Sequence, residues 1–168
     1  MQGQAQRDPL TGLYNRRGLE QSVAGRYSLG LPPGAAVQVR IDHFREISDS
    51  YGQLLGDRVI ATVAQIISAV AGSDALCARS SGENFILLLP EVAPQAAAAT
   101  AEQIRSGVEK CRIRRQDSEA IVEAVTVSIG IGSIAEGETL AAAGARAEQA
   151  LQRAIDDGRN RVFASGND

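Results

Sequence analysis

Lysine is almost missing from this chain. Lys110 stands alone, so the other 16 of the 17 basic residues are arginine. A Walker-type phosphate loop requires a Gly-Lys pair, and none occurs, which excludes that class of nucleotide site. Cysteine is equally sparse. Cys77 and Cys111 are too few and too far apart for a metal knuckle or a disulfide framework, so both read as reduced thiols, one of them on a buried strand. No uninterrupted apolar run reaches the roughly 18 residues of a membrane helix. Met1 to Arg7 is polar and contains no signal-peptide core. Charge of one sign is also lacking: a formal net charge of −3 leaves no electrostatic footprint for nucleic acid or an anionic membrane. These absences lead to the expectation of a cytoplasmic domain.

The chain does contain enough apolar residues, 44% of 168, to bury a core as one domain. Asp8-Pro9-Leu10-Thr11-Gly12 reads as a turn, with a short helix from about Asn15. Leu31-Pro32-Pro33-Gly34 reads as a loop. Ala35 to Ile41 alternates and is β-branched, a strand pattern. Val59, Val63, Ile66 and Val70 recur at helical spacing, which predicts an amphipathic helix over Asp57 to Val70. Leu76 to Ser80 and Phe85 to Leu89 predict a β-hairpin. A helix is expected from Pro94 to Val108, and one or two strands over Ala120 to Ile131. A long helix from Leu140 to Asp157 should stop at Gly158, followed by a short strand over Arg161 to Phe163. Helices alternating with strands around one hairpin predict an α/β fold with a mixed sheet.

The hairpin is the most informative feature. Arg79-Ser80-Ser81-Gly82-Glu83-Asn84-Phe85 places a carboxylate at a tight polar turn, where it can meet a metal or a phosphate. This stretch resembles the signature hairpin of the GGDEF family, the diguanylate cyclases, with Ser81-Gly82-Glu83-Asn84-Phe85 in place of Gly-Gly-Asp/Glu-Glu-Phe. Four further segments resemble the family in the same order along the chain. They are Arg7 to Arg17, Ile41-Asp42-His43-Phe44-Arg45 to Gly52 with Gly56-Asp57, Val125 to Gly130, and Ala147 to Val162 with Gly158-Arg159-Asn160. The resemblance implies a palm-like, ferredoxin-related nucleotidyl-cyclase fold over residues 8–165, with 1–7 as linker or cloning residues and 166–168 as a tail.

It also implies a chemistry to compare with these residues. In the family two GTP molecules, one on each protomer, react head to tail to give cyclic di-GMP and pyrophosphate. Two divalent ions assist, and magnesium requires hard oxygen ligands. The family's first metal carboxylate corresponds to Arg40, an inverted charge. Two unit charges 4 Å apart interact by about 4 kcal/mol at an effective dielectric near 20, and a divalent ion would double that as repulsion. Glu83 matches the second metal carboxylate and is the only metal ligand retained. One carboxylate binds magnesium weakly, so no bound metal or other cofactor is expected. Arg40 can pair with Glu83 or swing into solvent. Asn84 replaces the second hairpin acid. Ser81 replaces a glycine, either crowding a substrate phosphate or serving as an ordinary turn residue, whereas Gly82 is kept.

Ser48 and Asp57 correspond to the Asn and Asp that read guanine, although Asp57 also suits a helix N-cap. Arg45 and Arg159 correspond to phosphate ligands, and Arg159 can alternatively pair with Asp156 or Asp157. Ile155 stands where the family has lysine. The product-inhibition pair Arg-x-x-Asp corresponds to Gly72 and Ala75, which provide neither charge. The resemblance thus implies a catalytically inactive domain with a regulatory, GTP-sensing or dimerisation role, or alternatively a weakly active diguanylate cyclase. Its implied partners are GTP, a neighbouring phosphodiesterase or sensor domain, and a second copy of the chain. Two motifs carry less. Gly130-x-Gly132-x-x-Ala135 follows a strand as in a dinucleotide fold, but Glu136-Gly137-Glu138 interrupts any helix. His43, the only histidine, lacks a triad partner and reads as a partly exposed loop residue.

Overall fold

The computed structural model describes residues 5–113 and 125–165. Its centre is a five-stranded sheet in the order β2-β3-β1-β4-β5. The strands are β1 (Gly34–Ile41), β2 (Leu76–Ser81), β3 (Asn84–Pro90), β4 (Val127–Ile134) and β5 (Val162–Ala164). β1 runs antiparallel to β3 and β4, β2 antiparallel to β3, and β5 parallel to β4, so the sheet is mixed as expected.

Alternation along β1 separates two cores. Val37, Val39 and Ile41 face one side, with Phe85 and Leu87 of β3 and Val127 and Ile129 of β4. Helices α3 (Gln53–Ala71) and α4 (Pro94–Lys110) cover that side through Val59, Val63 and Ile67, and Ala101, Ile104 and Val108. On the opposite side α1 (Arg16–Arg26) and α5 (Leu140–Asp156) cover Ala36, Ile86 and Leu88 through Leu19, Ala143 and Ala147. Asn15 caps α1, its Oδ1 accepting the Gly18 N–H at 2.7 Å.

The Gly130–Gly132 pair is not a phosphate turn. Both glycines lie inside β4, where α5 crosses almost against the strand backbone. A Cβ on Gly130 would run into the backbone of Leu151 and Ala147. The Ala-rich inner face of α5 and these glycines are two halves of one close contact.

Three boundaries differ from expectation. The central helix begins at Gln53, not Asp57, with Gly52 at its N-cap. A separate short helix α2 (Phe44–Tyr51) precedes it and ends on the same glycine, whose φ of 92° permits the corner between them. Gly158 falls one residue beyond the α5 C-cap, Asp157. Of the expected strand from Ala120 to Ile131, residues 120–124 lie outside the described residues, and β4 starts at Val127.

Among the described residues α3 alone is long and apolar enough to cross a bilayer. Its buried stripe packs on the sheet, and Asp57 and Arg58 interrupt its apolar run, as in a core helix. Cys77 and Cys111 are free thiols, both partly exposed. Burial pushes the Cys77 thiol up to about 11.

Candidate functional site

The hairpin turns over Gly82 and Glu83, between the paired residues Ser81 and Asn84. Gly82 takes a φ of 33°, which favours glycine. Two contacts secure the turn. The Ile41 N–H donates to the Glu83 carbonyl at 3.2 Å. Arg79 donates through Nε to the Gly82 carbonyl at 2.7 Å and through Nη1 to Asp8 Oδ1 at 3.1 Å. Asp8 in turn accepts the Thr11 N–H and hydroxyl, which fixes the expected opening turn. The opening segment and the hairpin are therefore joined by the largely buried Arg79 side chain, and also by backbone bonds from the Tyr14 N–H to the Cys77 carbonyl and from the Arg79 N–H to the Tyr14 carbonyl.

Arg40 does not pair with Glu83. Its Nε donates to Asn84 Oδ1 at 2.6 Å, and its Nη2 lies 3.1 Å from Glu148 Oε2 on α5. The reason is register. Arg40 sits directly opposite Asn84, so both side chains emerge on the α1/α5 face. Glu83 is one residue away in the turn, where the pleat no longer places it on that face. Asn84 also donates from Nδ2 to Ser81 Oγ at 3.1 Å, so the substituted positions 40, 81 and 84 form one hydrogen-bonded chain. The Glu83 carboxylate is half-buried and has no hydrogen-bond or ion-pair partner among the described residues.

Asp42, just past β1, ties the end of this strand to β4 and the closing turn. It is 5% exposed. Oδ1 accepts from Ser128 Oγ at 2.7 Å, and Oδ2 accepts from Thr126 Oγ1 at 2.7 Å and the Asn160 N–H at 3.1 Å. These bonds offset the cost of burying a carboxylate and bring the closing turn to the end of β1. Arg159 and Asn160 both adopt left-handed φ, 67° and 50°. Asn160 is also held from α4: its Oδ1 accepts from Arg105 Nη1 and its Nδ2 donates to Glu109, both at 2.9 Å. Arg105 is clamped by Glu102 and Glu109. The Arg105 guanidinium holds the Glu102 carboxyl below its ordinary range. For Glu109 the Asn160 amide has the larger lowering effect, followed by Arg105.

The end of β1, the hairpin tip, the start of α2 and the closing turn thus meet at one end of the sheet. Arg40, Glu83 and Asn84 are brought together there. Arg45 is exposed in the first turn of α2, and Arg159 is exposed on the closing turn. Arg159 pairs with neither Asp156 nor Asp157; Asp156 instead accepts from Gln152. Ser48 lies on α2 beside Gly56, where an added Cβ would be 3.5 Å from its Oγ. Asp57 is the fifth residue of α3 and half-buried, so it is not an N-cap: Gly52 begins the helix earlier. Gly72 is the C-cap of α3, and Ala75 is partly buried against the core. His43 is exposed with a φ of 55°, its Nδ1 3.7 Å from Glu46.

These residues do not fit a divalent cation. A guanidinium stands where the resemblance assigns a carboxylate, and the Asn84 amide oxygen is occupied by that guanidinium. Among the described residues no three His, Cys, Asp or Glu side chains converge as metal ligands. Two structural residues went unassigned in the sequence reading. Glu148 had no local signal, because its partner Arg40 lies 108 positions away. Asp42 had one, an acid between a core strand and a helix, where burial requires partners.

Comparison with known proteins matches residues 5–161 to the family model described as "Diguanylate cyclase, GGDEF domain". The chain is 32% identical over 156 residues to the diguanylate cyclase VdcA of Vibrio cholerae, covering 93% of this chain and 46% of VdcA. It therefore spans less than half of that relative. Its fold superposes with a TM-score of 0.88 on the GGDEF domain of DgcB from Caulobacter crescentus, solved with c-di-GMP, at 33% identity, covering 99% of this chain and 97% of that one. Against the diguanylate cyclase SiaD of Pseudomonas aeruginosa, solved with its activator SiaC, the TM-score is 0.83 at 31% identity, covering 94% and 61%. Motif order, a sheet with β1 at its centre and these likenesses agree: the chain belongs to the GGDEF family, the diguanylate-cyclase-type domains of cyclic di-GMP signalling.

Proposed function

We propose that this chain is a degenerate GGDEF domain, spanning residues 8–165, that does not synthesise cyclic di-GMP. It serves a cytoplasmic cyclic di-GMP signalling protein as a regulatory, GTP-sensing or dimerisation module. One observation supports this above all. The Arg40 guanidinium, bonded to Asn84 and Glu148, takes the place of a metal-binding carboxylate and leaves Glu83 as a lone ligand. A divalent ion there would meet a fixed positive charge in place of the negative one it needs.

Ser48, Asp57, Arg45, Gly82 and Arg159 are the residues we assign to any remaining GTP contact. Ser48 offers a single hydroxyl to a guanine edge, and Ile155 offers no charge to a phosphate. Each change costs about 1–2 kcal/mol of binding. The product has no inhibitory site in this reading, because Gly72 and Ala75 provide neither guanidinium nor carboxylate. The partners we propose are neighbouring signalling domains or a second copy of the chain; SiaD, bound to its activator, shows that a relative can work in a protein complex.

The test combines turnover with binding. Purified protein with GTP and magnesium or manganese is expected to yield no cyclic di-GMP above a no-enzyme control. Calorimetry is expected to show weak GTP binding that a chelator leaves unchanged, and no tight binding of cyclic di-GMP. The second reading is a weakly active cyclase, favoured by the unpartnered Glu83 carboxylate. It would be established by turnover, or by magnesium tightening GTP binding a hundredfold.

A further inference from the structure

A cavity of about 650 Å³ opens on the α1/α5 face of the sheet; Arg40, Ser81 and Asn84 line it beside the hairpin, and Ser48, Asp57, Arg45 and Arg159 do not line it. We infer that it is a binding site for a small organic monoanion with an apolar body. Its size falls within the range of small-molecule sites. Its floor is apolar: Leu19 of α1, Ile86 of β3 and Leu140 and Gly144 of α5 line it, where the two covering helices leave the sheet open. Its polar end is Arg40. A guanidinium has five N–H donors. Arg40 uses Nε on Asn84 and one Nη2 hydrogen on Glu148, and the others have no partner among the described residues. Gln38 beside it donates to the Gly144 carbonyl at 3.2 Å, which fixes that wall.

The rim chemistry sets the charge of the ligand. Arg16 and Glu20 of α1 also line the cavity, as an exposed pair 3.5 Å apart. Two arginines face two glutamates, so no net field draws in a polyanion. A triphosphate filling this space would bring several negative charges against Glu148 and Glu20. A single carboxylate can meet the free N–H groups of Arg40 while its apolar body covers Leu19 and Ile86. This inference goes beyond the nucleotide reading and is tested without nucleotide or metal, so either can fail alone.

The probe is 2-naphthoate, titrated into the isotopically labelled 168-residue chain and followed by amide NMR shifts. Saturable shifts are expected at Leu19, Ile86 and Gly144, with a dissociation constant of about 1 mM or tighter for a ligand of this size. Ala145 lines the cavity from an exposed position on α5, so Ala145→Trp fills it without entering the core. It should weaken binding at least tenfold, as should Arg40→Gln. Ala141→Trp, also exposed and lining the cavity, replaces Ala145→Trp if that variant misfolds. 2-Naphthol, which lacks the carboxylate, should bind about tenfold more weakly. The inference is overturned if no saturable shift appears at these residues, if the tryptophan variant binds unchanged, or if 2-naphthol binds as tightly as 2-naphthoate.

Discussion

Arg40 illustrates how one substitution can recruit its own supports. Its partners, Asn84 and Glu148, each turn an oxygen to the guanidinium and accept a hydrogen bond from it. The pair with Glu148 is partly exposed, 30% and 44% at the side chains, so it contributes at most about 1 kcal/mol to stability. Its larger effect is on charge, because Glu148 neutralises the guanidinium a phosphate would need. Glu148→Gln should therefore strengthen metal-free GTP binding, by about two- to fivefold, while changing the melting temperature little. Unchanged binding by calorimetry would place Arg40 out of reach of the phosphates. A second pair gives a pH signature. Arg146 donates to both Glu138 oxygens, at 3.0 and 2.6 Å, and the Ala135 N–H adds a bond at 2.8 Å. Together they hold the Glu138 carboxyl at about 2, below its ordinary 4.5. A carboxyl depressed by folding stabilises above the unfolded value and loses that contribution as pH falls through the folded one. With solvent screening the contribution is about 1 kcal/mol. Glu138→Gln should lower stability by that amount at pH 7, and the difference should close between about pH 4.5 and 2, as measured by urea unfolding.

Among the elements, α5 and β4 depend most on each other. Gly130→Ala would force the Leu151–Ala147 stretch of α5 off the strand, and should cost at least about 3 kcal/mol, read as a large drop in the urea midpoint. Exposed Gly25, with open space where a Cβ would stand, serves as the control and should tolerate alanine. These packing relations explain what the sequence could reveal. α5 was legible because its alanines repeat with the helical period and a glycine follows its end. The hairpin was legible because two apolar runs flank a short polar turn. The break between α2 and α3 was not, because Gly52 ends one helix and starts the next without any capping side chain. Asp57 looked like a cap for the same reason.

At the scale of the whole molecule, the motifs indicated which residues gather at the end of the sheet but not whom they touch. Arg40 was singled out, yet its partner was not, since a strand register and a helix 108 positions away determine the pairing. Asp42 was overlooked for a similar reason: its bonds reach residues 84, 86 and 118 positions away. Long-range partners of this kind have no local signature.

The strand order also governs how the chain must assemble. β1 is the first strand made but the third in the sheet, between β3 and β4. A nascent chain that has emerged only as far as Pro90 can form the three-stranded ribbon β2-β3-β1, but leaves the other edge of β1 open. That edge closes only when β4 arrives, and Asp42 gains its last bond only with Asn160. Such non-local closure slows folding and leaves an apolar strand edge exposed meanwhile. Ribosome-arrested chains ending before Val127 should therefore be digested rapidly by protease, and resistance should appear only once Asn160 has left the exit tunnel. Resistance in the shorter chains would show that the β2-β3-β1 ribbon and its helices fold independently.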